Sequence, residues 1–257
     1  MALFRGVIRS NVLGMDTGLC VILPQDRLLP ETAPGKVLYL LHGLGDNCEA
    51  WVRYTAIERY ARQYALTVVM PEVQRSFYMN MAYGLPYFTY ITEELPALCR
   101  DMFGISGQKE DSYVAGLSMG GYGAMLCALT CPEKYAGGAS FSGAVDFRGV
   151  LRDHMNGDNI KQMQAGIGMD LEVREADDLF LLADRISLLP DSDRPKLYLS
   201  CGFDDFLYES NIDYKNHLES KRVSHLFMDW RGDHDWDFWD KSVQHALVYF
   251  FAPTKDA

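Results

Sequence analysis

The chain has 257 residues, 48% of them hydrophobic and 23% charged, and a formal net charge of -11 from 35 acidic against 24 basic side chains. Those proportions suit a globular chain with a sizeable core, while the acidic balance and singly scattered Lys and Arg argue against nucleic acid as a partner. No run reaches the 18 or more apolar residues of a membrane-spanning helix, and Arg5 and Arg9 interrupt the stretch where a secretory signal would need its apolar centre.

In chain order, "LFRGVIRS" (3–10) and "GLCVILPQ" (18–25) precede any strong helical pattern and read as an antiparallel hairpin at a sheet edge. "KVLYLLH" (36–42), "LTVVMPE" (66–72), "DSYVAGL" (111–117), "GGASFSG" (137–143), "PKLYLSCG" (195–202) and "VSHLFMDW" (223–230) are short apolar runs of the kind covered on both faces in parallel sheets. Helical spacing lies between them: Ala50, Tyr54, Ile57, Ala61 and Tyr64 on one segment, "GYGAMLCALT" on another, and Trp236, Trp239, Val243, Leu247 and Phe250 near the C-terminus. The expected class is α/β: one domain over residues 1–257, a mostly parallel central sheet with an N-terminal antiparallel hairpin, and helices on both faces. One long connection interrupts this economy. Residues from about 146 to 194 hold "VREADDLFLLADRISLL", which reads as a helix, and the Gly/Met-rich "HMNGDNIKQMQAGIGMD". Long insertions in compact domains tend to be functional, so a small cap is expected here, with Met155, Met163 and Met169 as adaptable apolar contacts or as plain gap-fillers.

Cys20, Cys48, Cys99, Cys127, Cys131 and Cys201 are spread without C-x-x-C pairs, so free thiols in a cytoplasmic protein are expected, and no zinc site.

"YVAGLSMGGYG" (113–123) carries the chemistry. Gly116-Leu117-Ser118-Met119-Gly120 fits the G-x-S-x-G nucleophile elbow, a strained strand-to-helix turn that projects a serine hydroxyl at the sheet's C-terminal edge. Glycines on either side let neighbouring backbone approach without a Cβ clash, and the helix N-terminus beyond favours a developing oxyanion. A tight turn with no chemistry is the competing account. A serine hydroxyl needs a base, and the base an orienting acid. In α/β-hydrolases these follow in the order Ser, Asp/Glu, His, after later strands. "FDDFLYES" places Asp204 and Asp205 after one strand, and "RGDHDWDFWD" places His234 after the last. Spacing does not choose between the two aspartates.

Of the other histidines, His225 lies in a strand, His245 in the last helix, His217 in a polar helix and His154 in the insertion, while His42 shapes a loop. Asp233, Asp235 and Asp237 beside His234 suggest a capped helix start rather than a metal site. The oxyanion needs two backbone donors: Met119, after the nucleophile, and Leu44 in "LLHGLGDN" (40–47). Phe77, Tyr78, Phe206 and Tyr208 flank the motif loops, as pocket lining or as core.

These motifs together resemble the tributyrin esterase branch of the esterase D / S-formylglutathione hydrolase family of α/β-hydrolases. "HGLGDN", "RSFYMNMAYGLPYFTYITEELP", "AGLSMGGYGAM", "CGFDDFLYESN" and "GDHDWDFW" occur in the family's order over residues 40 to 239. The resemblance implies Ser118, Asp205 and His234 as nucleophile, acid and base, choosing the second aspartate of the pair. It also implies hydrolysis of short acyl esters without a cofactor, with hydroxycinnamate (feruloyl) or acetylated-sugar esters as alternatives. "YGLPYFTYITEELP" stands where S-formylglutathione hydrolases carry a Trp- and Gly-rich stretch, which disfavours a glutathione thioester. A hydrolase-fold binding protein without turnover is the reading from another class, and that version usually loses a triad member. The expected partner is a small-molecule ester, with no membrane and no nucleic acid; a homo-oligomer is allowed.

Overall fold

Among the described residues, eight strands form one sheet: β1 (Ala2–Ser10), β2 (Met15–Leu23), β3 (Val37–Leu41), β4 (Thr67–Pro71), β5 (Ser112–Leu117), β6 (Gly137–Phe141), β7 (Lys196–Gly202) and β8 (His225–Trp230). Their spatial order is β1-β2-β4-β3-β5-β6-β7-β8. The computed structural model describes residues 1–24, 35–153 and 157–252, so Gln25, His154 and Met155 lie outside the described residues. β1 pairs antiparallel with β2, and β2 antiparallel with β4; every other pair is parallel. The α/β class and the edge hairpin expected from the sequence are those observed.

Alternation along the strands builds two apolar layers. Val37, Tyr39 and Leu41 of β3 enter one layer, and Leu38 and Leu40 enter the other, as the period of two requires. The first layer is covered by α4 (Leu95–Phe103), α5 (Met119–Thr130), α8 (Leu179–Ser187) and α9 (Tyr208–Ser220). The second is covered by α1 (Ala50–Tyr54), α2 (Ile57–Gln63) and α10 (Trp236–Phe251). α3 (Tyr87–Thr89) leads through a π-helical turn, Tyr90–Glu94, into α4.

Two helical expectations are corrected. The segment from Ala50 to Tyr64 is two helices, because Thr55 turns extended (φ -132°, ψ 173°), its hydroxyl donates to the Trp51 carbonyl, and it accepts the Ile57 amide at 3.2 Å. A threonine hydroxyl competes here with the backbone ladder. In the long connection, α8 starts only at Leu179, where the Asp178 carboxylate accepts the Phe180 and Leu181 amides as an N-cap. The Gly/Met-rich stretch, read without an element, contains α7 (Gly157–Ile167), which follows α6 (Phe147–Asp153).

α7 is strapped to the preceding loops. Ala82 and Tyr83 amides donate to the Gly166 and Ala165 carbonyls at 2.7 and 2.9 Å, and Arg75 reaches Gln162 and Asn159. Met163 is buried in the first apolar layer, whereas Met169 is 65% exposed. Among the described residues, no helix is long and apolar enough to cross a membrane.

Candidate active site

The parallel register brings the C-terminal ends of β3, β5, β7 and β8 to one edge, and the loops that leave them converge there. Ser118 sits between β5 and α5 with φ +51° and ψ -115°, a conformation that side-chain-bearing residues rarely adopt. Its amide continues the sheet ladder by donating to the Phe141 carbonyl at 2.9 Å. The flanking glycines meet the steric demand. A Cβ on Gly116 would overlap the backbone of Gly120, and one on Gly120 would lie 2.5 Å from the Leu41 carbonyl oxygen and 2.7 Å from that of His42. Gly123 makes room in the same way for the ring of Tyr78.

His234 Nε2 lies 3.0 Å from Ser118 Oγ, and His234 Nδ1 lies 2.9 and 3.1 Å from the two carboxylate oxygens of Asp205. A carboxylate only accepts, so Nδ1 carries the hydrogen and Nε2 is left to accept the serine hydroxyl. Asp205 is buried, and its Oδ1 also accepts the Leu207 amide at 2.8 Å. Burial alone would raise its carboxyl, but the hydrogen bond and charge of His234, then Ser142 and the Leu207 amide, bring it below the ordinary value. Asp204 faces outward toward Arg231 at 3.7 Å. Geometry therefore separates the two aspartates that spacing left equal. The residues either side of His234 have other work: Asp233 accepts the His234 amide at 2.7 Å, and Asp235 caps α10 through the Phe238 amide.

Leu44 lies in the turn closed by the Asp46 amide on the Gly43 carbonyl at 3.2 Å, a bond that does not use its own N–H. Met119 is the first residue of α5, where amides have no intrahelical acceptor. The turn is anchored from below by Tyr78 and Trp51, whose part was not legible in the sequence, and by His42, which was expected to shape this loop. Tyr78 donates its hydroxyl to the His42 carbonyl at 2.9 Å, and Trp51 Nε1 donates to the Leu41 carbonyl at 3.0 Å. His42 accepts the Val73 amide at Nε2 (3.2 Å), so Nδ1 carries the hydrogen given to the Gly43 carbonyl at 2.8 Å. Burial lowers the His42 pKa and keeps the ring neutral, as that pattern requires.

Of the four aromatic candidates for a pocket, Phe77 and Tyr78 belong to the core: both are buried, with Phe77 packed on Tyr122 and Phe147. Tyr208 turns its hydroxyl to the Asp229 carboxylate at 2.8 Å. Phe206 alone of these stands beside the histidine, its ring centroid 4.6 Å from that of His234, and it is 56% exposed. Trp239 meets the imidazole from another direction, at 5.0 Å and perpendicular.

The Esterase family, described as "Putative esterase", matches residues 10–250. An acetyl esterase of Caldicellulosiruptor saccharolyticus is 29% identical over 261 residues, covering 97% of this chain and 98% of its own. The substrate-bound fluorophosphonate-binding serine hydrolase F of Staphylococcus aureus superimposes with a TM-score of 0.87 at 34% identity, over 98% of this chain and 99% of that one. An S-formylglutathione hydrolase from Staphylococcus aureus superimposes with a TM-score of 0.84 at 35% identity, over 97% and 98% of the two chains.

Proposed function

The chain belongs to the Esterase family, and from that premise we propose that it is a tributyrin-like serine carboxylesterase, acting on acetyl to butyryl esters. The observation that carries this reading is the continuous hydrogen-bond chain from Ser118 Oγ through His234 to Asp205, built on a strained serine. Ser118 is the nucleophile, His234 the general base and Asp205 the acid that orients it.

As Oγ attacks the ester carbonyl, its proton passes to Nε2, and the new C–O bond places negative charge on the former carbonyl oxygen. The amides of Leu44 and Met119 bind that oxygen. Collapse breaks the bond to the alcohol, which leaves with the proton from Nε2. Water, deprotonated by the same nitrogen, then attacks the acyl-enzyme and releases the acid and the free serine. No cofactor enters either half. The leaving alcohol lies on the His234 side, where Phe206 offers an apolar face. A cytoplasmic home is part of the same reading, in keeping with six free cysteines.

A thioester substrate is the second reading, favoured by the 35% identity to the S-formylglutathione hydrolase. One set of measurements separates the two. Purified protein is assayed for kcat/KM on nitrophenyl esters from acetyl to octanoyl, methyl ferulate and S-formylglutathione, alongside fluorophosphonate labelling of wild type and Ser118→Ala. The proposal expects label on Ser118 alone, loss of at least about 10³-fold in kcat for Ser118→Ala, and a maximum at two to four acyl carbons. A maximum on S-formylglutathione moves the substrate to the thioester, and one on ferulate to hydroxycinnamate esters. Near wild-type turnover by Ser118→Ala sinks the nucleophile assignment.

A further inference from the structure

Ser142 follows β6 and takes φ +45°, a left-handed conformation where glycine is the usual residue. Its amide donates to the Ser200 carbonyl of β7 at 2.7 Å. One residue earlier, the Phe141 carbonyl accepts the Ser118 amide at 2.9 Å, and two residues later the Ala144 amide donates to the Ser118 carbonyl at 3.1 Å. This short stretch therefore joins the turn that carries Ser118 to the strand that leads into Asp205. The Ser142 side chain is fully buried at this join, and its hydroxyl helps hold the Asp205 carboxyl below its ordinary value and works against the rise of the Cys201 thiol. In the resting geometry its hydroxyl makes no well-aligned hydrogen bond among the described residues.

We infer that Ser142 is a positioning residue for the reaction, its hydroxyl donating to the Asp205 carboxylate as positive charge develops on His234. This rests on the proposed roles of Ser118, His234 and Asp205. Asp205 Oδ1 accepts the Leu207 amide as well as His234, whereas Oδ2, 2.9 Å from Nδ1, has room for a further donor. A buried hydroxyl without a partner costs stability, and so does a left-handed serine. Glycine would remove both costs, so the hydroxyl is the part of Ser142 that a neighbour could use. The neighbour whose charge must be held still during proton transfer is Asp205.

The test is kinetic, on nitrophenyl acetate, with Ser142→Gly and Ser142→Ala made in the wild type and in Asp205→Asn. Glycine keeps the left-handed backbone, so Ser142→Gly separates the hydroxyl from the fold. The expected result is a roughly ten-fold fall in kcat for Ser142→Gly, the size of one hydrogen bond to a charged group. KM stays within two-fold, and Tm is unchanged or higher. In the Asp205→Asn background, followed by single turnover, Ser142→Gly brings no further loss, because the group it acts through is already gone. Wild-type kcat in Ser142→Gly while Asp205→Asn is crippled overturns the inference and leaves the triad standing. An equal loss in both backgrounds overturns it too, since the hydroxyl would then act elsewhere. Full turnover by Asp205→Asn overturns the triad and this inference together.

Discussion

The hydroxyl of Tyr78 donates to the carbonyl of His42 across 2.9 Å, with both side chains fully buried. That carbonyl precedes the Gly43–Asp46 turn, so the bond anchors the base of the loop that carries Leu44, the proposed oxyanion donor. Tyr78→Phe leaves a buried carbonyl without its donor, at a cost of about 1–3 kcal/mol. We expect a lower Tm and a fall of roughly three- to ten-fold in kcat with little change in KM, read by calorimetry and steady-state assay. Wild-type values on both counts would show that the anchor is dispensable.

Gly120 and Gly45 make a controlled pair. A methyl on Gly120 meets the Leu41 carbonyl oxygen at 2.5 Å, whereas one on Gly45 meets nothing within 4 Å. Backbone cannot step aside as a flexible side chain can, so Gly120→Ala should lose its soluble fold or nearly all its turnover. Gly45→Ala should stay within about 0.5 kcal/mol of wild type. Equal Tm values for the two variants would contradict the close packing of the serine turn.

Asp205 ties stability to pH. Its folded carboxyl titrates below the ordinary value, so the unfolded chain binds the proton more readily. The stabilisation is therefore present above about pH 4, the unfolded value, and is lost as pH falls through the depressed folded one. The difference in unfolding free energy between wild type and Asp205→Asn should be flat from pH 5 to 8 and shrink below about pH 4. Denaturant titrations at five or six pH values would show it, and a difference that grows toward acid would refute the sign. At neutral pH, Asp205→Asn should also lose roughly 10³–10⁴ in kcat.

Phe206 stands next to the histidine that would protonate the leaving alcohol. Phe206→Ala should raise KM several-fold for aromatic esters such as nitrophenyl acetate, and barely change it for methyl acetate. A uniform loss on both would make the ring a prop for His234 rather than a contact for the alcohol.

The thiols should be quiet. Burial pushes Cys20 and Cys131 up to about 11, and Cys48 and Cys99 up to about 12; Cys127 and Cys201 are raised as well. At pH 8 almost no thiolate is present to react. The native protein should consume disulfide reagents only slowly until denaturant is added, and activity should not depend on reductant. A fast-reacting thiol in the native state would contradict this.

Much of the molecule was legible along the chain because its signals are local. Strands such as Val37–Leu41 show as unbroken apolar runs, since both of their faces are covered. The turn at Ser118 shows through Gly116 and Gly120, because a strained backbone restricts which residues can neighbour it. His234 was separable from five other histidines by its place in a loop after the last strand.

Where local rules competed, the chain misled in one place and spacing left the choice open in others. Thr55 broke a helical period that the apolar spacing carried straight through, because its hydroxyl takes over backbone partners. Asp204 and Asp205 were equivalent by spacing; the burial of one, and the Leu207 amide on its oxygen, are set by how β7 delivers the loop beside β8. Phe77 and Tyr78 read equally as pocket or core, and only packing on Tyr122, Phe147 and Gly123 decided for core.

The sequence by itself thus determined the strand-and-helix alternation and the elbow, which depend on neighbours within a few residues, while the order of motifs along the chain singled out Ser118, Asp205 and His234. Tertiary structure alone decided what anchors the Gly43–Asp46 turn, and that Ser142 joins the turn of Ser118 to the strand leading into Asp205. Those relations join residues as far apart as Ser142 and Ser200, 58 positions along the chain, and no local propensity records a register that exists only once β6 lies between β5 and β7.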